Sequence, residues 1–214
     1  EMNSIPVGDL ATFWYGKGGT TPKTNHSGKG VKLLTGKEIS KYGFNFNVNP
    51  WYLEEKYLNE VDRKRLSLEK VVVQDIVAHI KRPIPHIKLT ASLDKEKRLC
   101  LNTVMCFAEN NKRCKNGFLL ALINSKFMSF YYYFFIFNQA IRTMHFMPGY
   151  ANYLPIPKEY EQLQNNIVEK SEIMFSLTSE FNSIVHKFIT ILRSNYELEK
   201  ISESLYYFYD LDFI

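Results

Sequence analysis

Cysteine is scarce in this chain and follows no spacing that chemistry requires. Cys100, Cys106 and Cys114 are odd in number and include no C-x-x-C pair, which argues against a disulfide framework and against a structural zinc site. The histidines, His26, His79, His86, His145 and His186, are scattered and form no H-E-x-x-H helix. No uninterrupted apolar run reaches membrane length either. The densest stretch, residues 117–136, contains Asn124, Lys126 and several tyrosines, and reads as a buried helix rather than a span. Residues 5–11 are too short and too interrupted for the apolar core of a signal peptide. The expectation from these absences is a protein of the reducing cytoplasm, with no metal and no membrane partner. A chain that starts at Glu1 rather than Met also reads as a domain cut from a larger one.

Acidic residues are missing where they would be most informative. Between Asn110 and Pro157 there are five basic side chains and no acid. Residues 1–157 carry 22 basic against 12 acidic side chains, a balance of +10, whereas residues 158–214 carry 5 against 10, a balance of −5. Such segregation points to a polyanion partner for the first part and to a solvated or protein-facing role for the second. The apolar content of 45% and charged content of 23% are those of an ordered globular protein. With 214 residues the chain buries one core, or one core and a helical appendage. Its 14 Tyr and 16 Phe serve either a large aromatic core or a binding surface.

Residues 7–13 read as a short helix or strand end, and Gly16 to Pro22 as an exposed loop. Val31 to Leu34 is a short strand, and Gly36 to Tyr42 a turn with a helical stub. Val71-Val72-Val73 is the strongest strand signal. His86 to Ser92 and Leu99 to Phe107 suggest a hairpin closed by the charged turn 94–98. After Asn110 the period changes to that of an amphipathic helix, with Phe118, Leu119, Leu122, Phe127, Phe130, Tyr131 and Phe134 on its apolar face. Tyr150 to Pro157 is extended, because Pro155 and Pro157 forbid helix. Met174, Leu177, Phe181, Ile184, Phe188 and Ile191 then step 3, 4, 3, 4, 3, a heptad-like seam suited to a second helix, and the stripe continues from Leu198 after a break near Asn195. The resulting expectation is an α+β fold: a mixed, largely antiparallel twisted sheet domain with packed helices over 1–157, followed by long C-terminal helices over 158–214.

Patterns that spell catalysis do not withstand their chemistry. Asn49-Pro50-Trp51-Tyr52 approaches the N-P-P-aromatic motif with which amino-methyltransferases grip a flipped base, but Trp replaces the second Pro. Gly16-Lys17-Gly18-Gly19 leads into Thr-Thr-Pro, without a strand before it or a helix after it to cradle a methyl donor. Glu54-Glu55-Lys56 and Asp62-Arg63-Lys64 spell half of a nuclease motif, yet neither lies in an apolar strand. No catalytic residue and no bound cofactor are expected in the chain itself.

An ordered set of segments resembles the C-terminal target-recognition domains of type IIG restriction-modification enzymes and adenine-specific DNA methyltransferases, and is similar to those of type I specificity subunits. The set runs through Lys32 to Ile39 with Tyr42, Trp51-Tyr52, Lys70 to Val73, His79 to Pro85, Thr90 to Asp94 and Leu101 to Thr103. Its most specific members are Phe118 to Lys126 running into Tyr131-Tyr132, then Tyr153 to Pro157, and the ending Tyr206 to Phe213. The resemblance implies a domain lying along the major groove of double-stranded DNA. Beside it would stand an N-terminal methyltransferase domain of the same polypeptide, which binds S-adenosylmethionine and flips the target adenine.

On that basis the candidate DNA contacts are Lys17, Thr20, Thr21, Lys23 and Lys29 in one loop, then Lys81, Arg82 and Lys88, each of which also fits a solvated face. Arg142 with Thr143 is the candidate base reader, since an Arg grips a guanine edge with two bonds; Arg142 also fits the cap of the preceding helix. His145 reads as structural rather than as a base reader, Asn102 as a turn or strand-end residue, and Tyr42 and Trp51 as packing on the core or on DNA sugar, the core being favoured. The competing reading is a helical scaffold or dimerisation module carried by the 174–208 seam.

Overall fold

The β-branched run at Val71–Val73 becomes the centre of the molecule, because such side chains fill a pleated surface covered on both faces. All three valines are fully buried. The structure, a computed structural model, describes residues 4–18, 24–45, 49–109, 114–140, 143–198, 201–202 and 205.

In chain order the elements begin with β1 (Ser4–Pro6), β2 (Ala11–Tyr15), β3 (Thr24–Asn25), β4 (Val31–Leu34), β5 (Ile39–Ser40), β6 (Gly43–Phe44) and β7 (Tyr52–Leu53). Helix α1 (Glu60–Leu66) leads to β8 (Lys70–Gln74), β9 (Ala78–Ile80), β10 (His86–Lys88), β11 (Ala91–Asp94), β12 (Leu99–Cys100) and β13 (Val104–Glu109). The chain then runs through α2 (Asn116–Asn124), α3 (Lys126–Tyr131), α4 (Pro148–Ala151), β14 (Pro155–Pro157) and α5 (Tyr160–Tyr196). One antiparallel sheet has the order β11-β8-β13-β2, and a second the order β12-β4-β7-β3, with β12 parallel to β4. Pairs β1–β14, β9–β10 and β5–β6 complete the set, all antiparallel. The fold is α+β, as expected.

Alternation along β8 divides the core. Val71 and Val73 join Phe107, Leu119, Ile123 and Tyr132 on the helix side, while Val72 faces Cys106, Leu34 and Ile39. Full burial of each such side chain contributes about 1.5–3 kcal/mol. All three cysteines are buried, and burial pushes the Cys114 thiol up to about 12. They pack as small apolar groups.

Several expectations are corrected. The hairpin between 86–92 and 99–107 does not form, because β8 lies between β11 and β13 and pairs with both. The charged turn does form, with Lys95, Glu96 and Lys97 exposed, but its ends are buried: Asp94 accepts from Lys70 Nζ at 2.7 Å and from Arg98 Nε at 3.0 Å. The apolar helix of 117–136 is broken at Ser125, which takes an extended conformation and caps α3 by accepting from Met128 N at 3.0 Å; the two halves bend by 58°. Its first half is buried, whereas Phe127, Phe130, Phe134 and Phe135 of the second are exposed. No single helix among the described residues is long and apolar enough to cross a membrane. Tyr150 belongs to α4 rather than to an extended segment, and Pro155 begins the strand.

Helix α5 is one helix of 37 residues. One side of it braces the sheet domain: Tyr160 packs on Phe118, Lys115 Nζ donates to Asn165 at 3.0 Å, and Asn182 donates to the Phe44 carbonyl at 3.1 Å. The heptad stripe from Met174 to Ile191 faces solvent, its members 38–58% exposed. The continuation from Tyr206 lies outside the described residues.

Candidate nucleic-acid interface

Loops from the ends of both four-stranded sheets enclose an open depression of about 570 Å³. Its first wall is the Asn25–Gly30 turn. Asn25 Oδ1 accepts from the backbone and hydroxyl of Ser27 at 3.0 and 2.7 Å, and its amide donates to the Lys29 carbonyl at 3.2 Å. Gly30, at φ +104°, passes so near the Leu53 carbonyl that a Cβ there would lie 2.1 Å from its oxygen. These constraints leave His26 and Lys29 exposed. His26 contacts the Pro50 carbonyl at 2.8 Å through Nδ1 and lies against the Trp51 ring at 3.6 Å between centroids.

A second wall is Thr35–Lys37, where Glu38 accepts from Thr35 N at 2.7 Å and so caps a short helical turn. Gly36 N donates to Thr103 Oγ1 at 3.0 Å, and Gln74 Nε2 donates to the Gly36 and Ile39 carbonyls at 3.0 and 2.9 Å. The Leu101–Thr103 turn closes the base. Its position depends on Gly16, since a Cβ there would meet the Leu101 carbonyl oxygen at 1.9 Å.

Past Gln74 the chain turns outward. Ile76 is 55% exposed and forms an isolated antiparallel bridge with His145. Val77 N donates to the Met144 carbonyl at 2.9 Å and Phe146 N to the Asp75 carbonyl at 2.7 Å. The exposed Thr143 leads into this ribbon. Among the described residues lining the depression there is no carboxylate; there are Lys37, His26, Asn49, Asn102 and Thr103 for hydrogen bonding, and Trp51 and Ile76 for apolar contact.

Of the described residues chosen from sequence as DNA contacts, none lines the depression itself; Lys29 is exposed on the Asn25–Gly30 turn beside it, and Thr143 next to the segment that bridges Ile76. Lys17 lies at the edge of this face through a bridge to Leu101, but its ammonium is paired with Asp62 and largely covered. Lys81 and Arg82 are exposed between β9 and β10. Lys88 lines a separate apolar groove of about 690 Å³ with Lys41, Lys126, Ile84, Phe130 and Phe134. There burial, and then the charges of Lys88 and Lys126, hold the Lys41 ammonium below its ordinary pKa. Thr20, Thr21, Lys23 and Arg142 lie outside the described residues. Sequence reasoning missed His26, Lys37, Asn49 and Ile76; Trp51, weighed between core and DNA contact, packs against Leu33, Leu53 and Leu99 and also lines the depression.

This scaffold matches the family model described as the TaqI-like C-terminal specificity domain over residues 31–156. The chain belongs to that family. In this specificity domain the matched span includes the Thr35–Lys37 wall, the Leu101–Thr103 base and the ribbon of Ile76 and His145, while the Asn25–Gly30 turn precedes it. A second family model, described as a domain of unknown function (DUF8810), matches residues 160–214. No curated protein matches the chain.

Among solved structures, the S subunit of a type I restriction-modification system from M. genitalium is similar at 11% identity and a TM-score of 0.47, over 91% of this chain and 44% of that one. The HsdS subunit from Thermoanaerobacter tengcongensis is similar at 11% identity and a TM-score of 0.39, over 96% and 42%. A chain of a type I R-M system, described for its complex assembly and conformational transition, is similar at 9% identity and a TM-score of 0.42, over 86% and 43%. The specificity domain thus spans less than half the length of each of these chains.

Proposed function

We propose that this specificity domain reads double-stranded DNA for a restriction-modification adenine methyltransferase of type IIG kind, and carries no catalysis of its own. The observation that supports this most is the carboxylate-free depression, where side chains able to hydrogen-bond base edges stand beside cations and exposed apolar groups. Base edges in the major groove offer donors, acceptors and the thymine methyl, and this mixture is what such a surface needs. Methyl transfer, with S-adenosylmethionine, is assigned to an N-terminal domain of the same polypeptide, in the cytoplasm. Lys29 and Lys37, with Lys81 and Arg82 on the neighbouring hairpin, are assigned to phosphates, which position the reader without conferring sequence. Arg142 and Thr143 keep the base-reading role proposed for them, joined by Asn49 and Asn102. Thr20, Thr21 and Lys23 keep the phosphate role proposed for them.

The test is selection of a randomised duplex pool by the chain, followed by titration at increasing salt. Enrichment of one motif with steeply salt-dependent affinity is expected. Binding without enrichment, or a flat salt response, would overturn the reading. The exposed stripe of α5 favours one further role, docking the domain to a partner helix; its rival is a helical scaffold that self-associates and ignores duplex.

A further inference from the structure

His145 is held in a way that its fold position does not require. The segments 75–77 and 144–146 are already joined by two backbone hydrogen bonds, Val77 N to the Met144 carbonyl and Phe146 N to the Asp75 carbonyl, and by the Ile76 bridge. Even so, the buried Asp75 carboxylate accepts from His145 Nδ1 at 2.7 Å. Its other oxygen, Oδ1, is buried with no hydrogen-bond partner among the described residues. A carboxylate buried in this half-satisfied state costs stability, and the group it serves is an imidazole with 45% of its side chain in solvent. A contact whose purpose was to tie the two segments together would have no reason to leave that ring exposed.

The backbone that carries the ring is also held. The Tyr132 hydroxyl donates to the His145 carbonyl at 3.4 Å and accepts from Met147 N at 3.2 Å, and Tyr132 itself is fully buried. The bridge partner Ile76 lines the depression, so the exposed His145 is carried on the segment directly beside it. In the neutral tautomer that donates Nδ1–H to Asp75, Nε2 is left as a hydrogen-bond acceptor in a set direction.

Resting on the reading of this face as a DNA reader, we propose that His145 is a specificity-determining residue. It accepts, through Nε2, a hydrogen bond from the exocyclic amino group of an adenine or cytosine on a major-groove edge, and Asp75 is its positioning residue. Those two amino groups are the donors that the major groove presents at adenine N6 and cytosine N4.

The experiment starts from the motif that the intact chain selects from a randomised duplex pool. His145→Ala should relax preference at one adenine or cytosine position by roughly ten-fold, more than it lowers affinity for unrelated duplex. Asp75→Asn, checked for folding by its melting temperature, should relax the same position. The chemical control replaces that base with its analogue lacking the amino group, purine for adenine or pyrimidin-2-one for cytosine. The wild type should lose affinity on the change, and His145→Ala should not. Unchanged preference in His145→Ala, a uniform loss at every position, or equal sensitivity of both proteins to the analogue would each overturn the proposal and leave DNA reading intact. Failure of the wild type to enrich any motif would instead overturn DNA reading itself.

Discussion

Lys70 and Asp94 meet at 2.7 Å with 1% and 0% of their side chains exposed, at the end of the two strands that Val71 and Leu93 pair. Arg98 completes the cluster from the other side, its backbone and Nε both donating to Asp94, while its guanidinium lies 4.0 Å above the Phe44 ring. One carboxylate therefore serves two buried cations. Removing it strands both, and breaking a buried pair from one side costs about 3–5 kcal/mol. Asp94→Ala should accordingly lower the unfolding free energy by about that amount in urea denaturation. Removing one cation by Lys70→Met, with Arg98 still in place, should cost less. A loss below about 1 kcal/mol for Asp94→Ala would mean that the cluster does not brace the sheet.

The same cluster shows what was legible in the sequence and what was not. Local pattern carried Val71–Val73 to the centre and Pro155–Pro157 to an extended segment, since β-branching and the proline ring act on their own residues. It gave the turn at 94–98 but not the burial of its ends, because the partner of Asp94 lies 24 residues away. Nor did it register the pairing of Lys17 with Asp62, 45 residues distant. Asp62 is itself fixed locally, through a reciprocal cap with Asn59 at 2.8 and 3.0 Å. The break at Ser125 is a capping event inside an apolar run, and periodicity does not register it. At the site, sequence weighed Lys29 by charge, but Ile76 and Lys37 became candidates only once distant loops met around one depression.

Alkaline pH should unfold the protein through its buried phenols. Burial pushes the Tyr132 hydroxyl above its ordinary value of 10.0, against the opposing effect of the Met147 amide that donates to it. Tyr15 and Tyr42 are raised too, in both cases first by burial. A folded pKa above the unfolded one gives stability that is whole below the unfolded value and is lost as pH climbs towards the folded value. Denaturation midpoints should therefore begin to fall above the ordinary thiol value of 9.0, where Cys114 starts to titrate in the unfolded chain, and fall further above the ordinary tyrosine value of 10.0. Tyr132→Phe should reduce that fall without abolishing it, because the other two phenols remain. An identical alkaline slope in this variant would remove Tyr132 from the account.

Helix α5 separates bracing from docking within one element. Val185 and Ile189 are 4% and 5% exposed, while Leu177 and Ile184 are 55% and 58% exposed. Val185→Asp buries an unpaired charge and should destabilise the chain by several kcal/mol, on the order of 3. Leu177→Glu with Ile184→Glu should change stability by no more than about 0.5 kcal/mol each, since these side chains already face water. Sedimentation of the same double variant distinguishes the two uses of the stripe. A scaffold loses an oligomer that the wild type forms; a docking helix shows one chain in both cases.

The lysines give the sharpest test of which charges face DNA. Each phosphate contact contributes about −0.9 to the slope of log affinity against log salt. Lys29→Ala and Lys37→Ala should each make the slope shallower by about 0.9, with losses similar across duplex sequences. Lys17→Ala should behave differently although the sequence groups Lys17 with Lys29. Its ammonium is paired with Asp62, whose carboxylate also caps the first turn of α1. Loss of Lys17 leaves that buried carboxylate without its cation, so the effect should appear in the melting temperature, with the salt slope unchanged. A shallower slope for Lys17→Ala at unchanged stability would place its charge on the phosphates after all, and would require the Asp62 pair to open on binding.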